Sequence, residues 1–115
     1  HVVKFNATDS PRKQGAFSQY RSPEAVKRYA EVADLIGVEG SSEAIKVKNL
    51  IKRLEVLRAE LNIPATIKEA GVSREAFYAK LDEMAELAFD DQCTGANPRY
   101  PSIEELKQLY IDAFE

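Results

Sequence analysis

Phe89-Asp90-Asp91-Gln92-Cys93-Thr94-Gly95-Ala96-Asn97-Pro98-Arg99-Tyr100-Pro101 is the stretch on which the architecture turns. It carries the only cysteine of the chain and its densest cluster of helix breakers, between two segments of helical periodicity. Asp, Asn and Thr in such a loop hydrogen-bond their own backbone, so its shape is specified. That makes it a candidate site. Asn97-Pro98 and Tyr100-Pro101 are equally the ordinary means of stopping one helix and starting the next, and periodicity alone leaves both readings open.

Beyond the loop, Ser102 and Glu105 stand three apart, as a capping box requires. Ile103, Leu106, Tyr110 and Ala113 then make the buried side of a last helix. Before the loop, Ser73 caps a helix that carries Phe77, Leu81, Met84, Ala85 and Ala88 at core spacing. Packing explains that stripe better than a cofactor box does. Asn62-Ile63-Pro64 is a break, because proline disfavours helical geometry in the residue before it. Ile67 to Val72 follows as a single turn closed by Gly71.

Ser41-Ser42-Glu43 opens a long helix with an apolar stripe of Ile45, Leu50, Ile51, Leu54, Leu57 and Leu61. Upstream, Ser22-Pro23-Glu24 reads as N-cap, first-turn proline and dipole-favoured acid. The helix it starts has Val26, Tyr29, Ala30, Ala33 and Ile36 on its apolar side and Gly37 as a left-handed terminator. Asn6 to Ser22 reads as an extended connection pinned by Phe17 and Tyr20, with Asp9-Ser10-Pro11 as a short helical turn. His1 to Phe5 has the pattern of a helix or strand entered in its middle. No strand alternation appears, so the expected fold is all-α: an irregular helical bundle forming one subdomain over residues 1–115.

Composition narrows the partners. The 115 residues are 44% hydrophobic and 30% charged, an ordinary globular balance. Sixteen basic against nineteen acidic side chains give a net charge of -3, which predicts no nucleic-acid partner. Lys46, Lys48, Lys52, Arg53 and Arg58 on the long helix are interspersed with Glu43, Glu55 and Glu60, the pattern of a solvated face with some i,i+4 pairing. The apolar runs fall far short of the roughly twenty residues a bilayer crossing needs, so no membrane partner is expected. Cys93 has no partner in the chain for a disulfide, and cytoplasm is the expected compartment.

A divalent metal centre needs three or four converging ligands, usually several of them histidine or cysteine. This chain has one of each, at opposite ends. Asp90 and Asp91 are adjacent on a helix and point about a hundred degrees apart, so hydrogen bonding at the helix end suits them better than a shared ion. Nucleophilic catalysis by Cys93 would need a nearby base or cation, and no histidine lies near it in sequence.

The run Phe89 to Pro101, with Glu104-Glu105-Leu106-Lys107-Gln108-Leu109-Tyr110 after it, resembles the carboxy-terminal part of the iron-containing alcohol dehydrogenases. Three further stretches carry the likeness: His1-Val2-Val3-Lys4-Phe5-Asn6-Ala7, Arg28-Tyr29-Ala30-Glu31-Val32-Ala33-Asp34, and Asn62-Ile63-Pro64 with Ile67-Lys68-Glu69-Ala70-Gly71-Val72. More narrowly, the ordered set is similar to the alcohol dehydrogenase half of the bifunctional aldehyde-alcohol dehydrogenases. The resemblance implies an enzyme using iron(II) and NAD to interconvert acetaldehyde and ethanol. The iron acts as a Lewis acid, and its ligands and the nucleotide-binding turns lie upstream of the matched region.

On that footing this chain binds neither cofactor by itself and has no catalytic residue of its own. It is expected to be inactive alone. Its partners are the upstream nucleotide-binding and metal-ligating parts of the same enzyme, in a parent that forms a homo-oligomer or filament. Cys93, Thr94, Gly95, Asn97, Pro98 and Arg99 are expected to wall the catalytic cleft. Cys93 shapes the pocket, Thr94 and Asn97 fix the loop through backbone hydrogen bonds, and Pro98 and Arg99 set its exit. The competing reading is a free-standing helical interaction module docking through an uncovered apolar face.

Overall fold

The computed structural model describes residues 1–9, 12 and 24–115. Within these the chain is all helical: α1 (Val2–Asn6), α2 (Ala25–Leu35), α3 (Glu43–Glu60), α4 (Arg74–Asp90) and α5 (Ile103–Phe114), with a 3-10 turn at Thr94–Ala96. The opening segment is therefore a helix. The expected cap at Ser22-Pro23, the anchors Phe17 and Tyr20 and the turn at Ser10-Pro11 lie outside the described residues.

Local chemistry sets the helix ends. The Ser42, Ser73 and Ser102 hydroxyls accept from the backbone N–H of Ile45, Ala76 and Glu105, and at Ser102 the Glu105 carboxylate returns the bond, completing the capping box. Three termini close alike: a backbone N–H reaches back five residues while its predecessor reaches back three, at Val38 and Gly37, at Ile63 and Asn62, and at Val72 and Gly71. Gly37 takes the left-handed conformation at φ 73, as expected, and Asn62 does so at φ 56, so the break before Pro64 begins one residue earlier than proline alone requires.

Two antiparallel pairs follow. In the first, α2 lies against α3, with Ala30 and Ala33 buried on one helix and Val47 and Leu50 on the other, and Lys46 Nζ meets Asp34 at 2.6 Å across the turn. In the second, the Phe77 and Phe114 rings stack at 4.4 Å with Leu81 beside them and Ile67, Met84, Tyr110 and Ile111 around the cluster. Arg74 pairs with Glu115 and Asp82 with Lys107, which fixes the antiparallel register of α4 and α5. The expected stripe of α4 is thus found on its inner face, whereas on α5 the expected Ile103, Leu106, Tyr110 and Ala113 are each only half-buried and Phe114, 1% exposed, is the buried residue, because α5 packs on α4 along one side only.

The stripe on α3 is only half covered. Leu50 is buried and Ile51 half-buried, but Ile45, Leu54, Leu57 and Leu61 are exposed, Leu61 at 59%. At 1.5 Å per residue, eighteen-residue α3 runs about 10 Å beyond eleven-residue α2, so its second half has no described helix near it but the short α1, across a hollow that Val3 and Lys4 share with Ile51, Leu54 and Arg58. Ile36 lies past the last turn of α2 and is exposed as well. Val47, outside the expected stripe, is the buried residue in its place. Among the described residues no i,i+4 ion pair forms on the charged face of α3: Lys46 pairs across to α2, Arg53 with Glu60, and Arg58 donates to the Ala65 carbonyl. The extents of 43 × 40 × 17 Å describe a slab at most two helices thick. No described helix is long and apolar enough to cross a membrane.

Candidate functional site

The Cys93–Arg99 loop leaves α4 through an Asp91 turn: the Asp91 carboxylate accepts from the Cys93 N–H at 2.7 Å and its carbonyl from the Thr94 N–H at 3.0 Å. The Thr94 hydroxyl donates to the Ala88 carbonyl. Asp91 thus shapes the loop directly, while Asp90 ends α4. Gly95 is half-buried within the 3-10 turn, and Pro98 half-buried beyond it.

Asn97 and Arg99 carry the loop onto α1. The Asn97 amide donates to the Asn6 side chain at 2.7 Å and to the Arg99 carbonyl at 2.5 Å, and Asn6 donates back to Asn97 at 2.9 Å. The Arg99 guanidinium donates to the Phe5 carbonyl at 3.1 Å and lies 3.9 Å over the Phe5 ring, a cation–π geometry. Its other nitrogen meets Glu105 at 2.6 Å. Arg12 reaches the second Glu105 oxygen at 2.8 Å, and that oxygen also takes the Ser102 N–H at 2.8 Å. Burial pushes the Glu105 carboxyl up, but the Ser102 N–H and the Arg12 and Arg99 guanidinia outweigh it and hold the group at about 2.

Cys93 is exposed. With Thr94 and Asn97 it faces Val2 and Phe5 of α1 and Leu106 and Leu109 of α5 across a hollow of about 210 Å³. The structure therefore brings Cys93, Thr94 and Asn97 to one concavity and sends Arg99 to the other side of Phe5, where a second hollow of about 290 Å³ opens beside Lys4, Gln108 and Asp112. Two participants were not legible as site residues in the sequence. Asn6 is the only buried polar residue among those described, and its single signal was a polar residue on the helix face of Val2 and Val3. Glu105 read as a cap and proves also to be the hub for two arginines. Among the described residues no three His, Cys, Asp or Glu side chains converge as a metal site, so the donor set here does not fit an iron centre.

The Fe-containing alcohol dehydrogenase family, C-terminal, matches residues 1–114, and the chain belongs to that family. It is 53% identical over 99% of its length to the bifunctional aldehyde-alcohol dehydrogenase AdhE of Escherichia coli strain K12, and 50% identical over 99% to the aldehyde-alcohol dehydrogenase of Clostridium acetobutylicum. In each case it spans 13% of the relative's length. The NADPH-dependent butanol dehydrogenase of Clostridium saccharobutylicum is 34% identical over 96% of the chain and is covered over 24% of its own length.

Proposed function

We propose that this chain is the carboxy-terminal helical part of an iron-dependent, NAD-linked alcohol dehydrogenase that interconverts acetaldehyde and ethanol, and that its Cys93–Arg99 loop walls the substrate cleft. The observation that carries the reading is the family match over residues 1–114, joined to relatives named for aldehyde and alcohol dehydrogenation. Iron and nicotinamide chemistry, when bound, come from other parts of the polypeptide, in the cytoplasm. What this chain contributes is shape. Cys93, Thr94 and Asn97 form one side of a hollow with Val2, Phe5 and Leu109 opposite, which excludes water from an alkyl group without bonding to it.

Acetaldehyde-dependent NADH oxidation with iron(II), measured on the 115 residues and on the longer polypeptide, tests the reading. Turnover by the longer polypeptide alone is expected. Stoichiometric iron uptake with ethanol dehydrogenation by the 115 residues would overturn it. A bulky replacement, Cys93→Phe, should raise the alcohol KM and lower turnover in the longer enzyme. The uncovered Leu54, Leu57 and Leu61 also suit a helical interaction module; a native gene product of 115 residues would favour that reading, and a much longer one the dehydrogenase.

A further inference from the structure

We infer that Asn6 is a positioning residue for the Cys93–Arg99 loop: its two-way amide pair with Asn97 sets the width of the hollow between that loop and α1, and so its preference among short aliphatic alcohols. This rests on the cleft-wall reading above. Asn6 is 3% exposed on a helix face otherwise suited to apolar side chains, a placement that costs free energy unless the amide is fully bonded. It is fully bonded. One Asn6 N–H goes to Asn97 at 2.9 Å and the other toward the Tyr29 hydroxyl at 3.4 Å, while Asn97 returns one N–H at 2.7 Å and gives its second to the Arg99 carbonyl.

Burial alone would hold α1 against the loop equally well with an aliphatic residue, but without direction. A reciprocal amide pair between residues 91 apart in sequence fixes both separation and rotation. The two walls it spaces are those of the 210 Å³ hollow: Phe5 precedes Asn6 on one side, and Asn97 itself lines the other with Cys93 and Thr94. The lining is mainly carbon, which discriminates alkyl length through fit rather than through hydrogen bonds.

Two readouts separate positioning from plain stability. In the longer enzyme, Asn6→Ala should change the ratio of kcat/KM for butanol over ethanol by about 5-fold or more, within the range that a methylene-sized change in a pocket produces. Asn6→Asp, which sets a buried carboxylate oxygen against the Asn97 Oδ1 acceptor, should change it at least as much. In the 115-residue chain, where Cys93 is the only thiol and is exposed, Asn6→Ala should change the rate of its modification by a neutral reagent, because the loop that sets its surroundings is released. Folded Asn6→Ala with both the ratio and the thiol rate unchanged overturns the proposal. Should that variant fail to fold, Asn97→Ala cuts the same pair from the half-buried loop side and is judged by the same two readouts. If the wild-type longer polypeptide oxidises no alcohol, the dehydrogenase reading falls, and the thiol rate still judges the clamp.

Discussion

Arg99 meets Glu105 at 2.6 Å, and the same carboxylate caps α5 through the Ser102 N–H. One side chain therefore joins the loop, the start of the last helix and, through the Arg99 contacts with Phe5, the first helix. Such charge-assisted bonds are short, and this one is only a quarter to a third exposed, so it is stronger than a surface ion pair.

Glu105 makes stability depend on acid. Its carboxyl is held at about 2 in the folded chain and titrates near 4.3 when unfolded, so the stabilisation is present above the unfolded value and lost as pH falls toward 2. Thermal unfolding followed by circular dichroism should show a falling midpoint between about pH 4.5 and 2, worth up to about 3 kcal/mol. Glu105→Gln should flatten that part of the profile; an unchanged slope would remove Glu105 as its cause.

Ser102→Ala removes the hydroxyl that accepts from the Glu105 N–H and should cost about 1 kcal/mol. For a chain of this size that is a drop of roughly 4 to 8 °C in Tm. Ser102→Asp, which keeps an acceptor at the cap, should recover most of it.

Phe114 and Leu57 are both large apolar residues, and they should respond very differently to replacement. Phe114→Ala opens the stacked Phe77 contact and should cost about 3 to 5 kcal/mol in a urea titration. Leu57→Lys, on the uncovered half of α3, should change stability of the 115-residue chain by no more than about 0.5 kcal/mol. Equal losses would mean that Leu57 is covered.

Asn62 occupies left-handed backbone that glycine tolerates better than any other residue. Asn62→Gly should leave the chain as stable or slightly more so, whereas Asn62→Val should lower the unfolding free energy in a urea titration by about 1 kcal/mol or more. A tolerated valine would show that α3 does not end in this conformation.

Helix class, caps and breaks were legible in the chain because they depend on neighbours a few residues apart: Ser73 and Ala76, Ser102 and Glu105, Gly37 and the turn before it. The inner face of α4 was legible for the same reason, since a 3.6-residue period repeats whatever it packs against, while on α5 the period did not single out Phe114. Apolar spacing on α3 gave no such answer. It marks a face fit to be buried, and whether Leu54, Leu57 and Leu61 are covered depends on how far α2 extends beside them.

Pairings over long sequence distances lay beyond any local pattern. By itself the chain determined the helices α2 to α5, the ends at Gly37, Ser42, Ser73 and Ser102, the family they belong to and the loop worth attention, because each is written in short-range spacing or in ordered motifs. Only the tertiary structure decided that Asn6 is buried against Asn97, that Arg12 joins Arg99 on Glu105 and that Cys93 faces α1, because in each case residues some ninety positions apart meet through the packing of the elements between them.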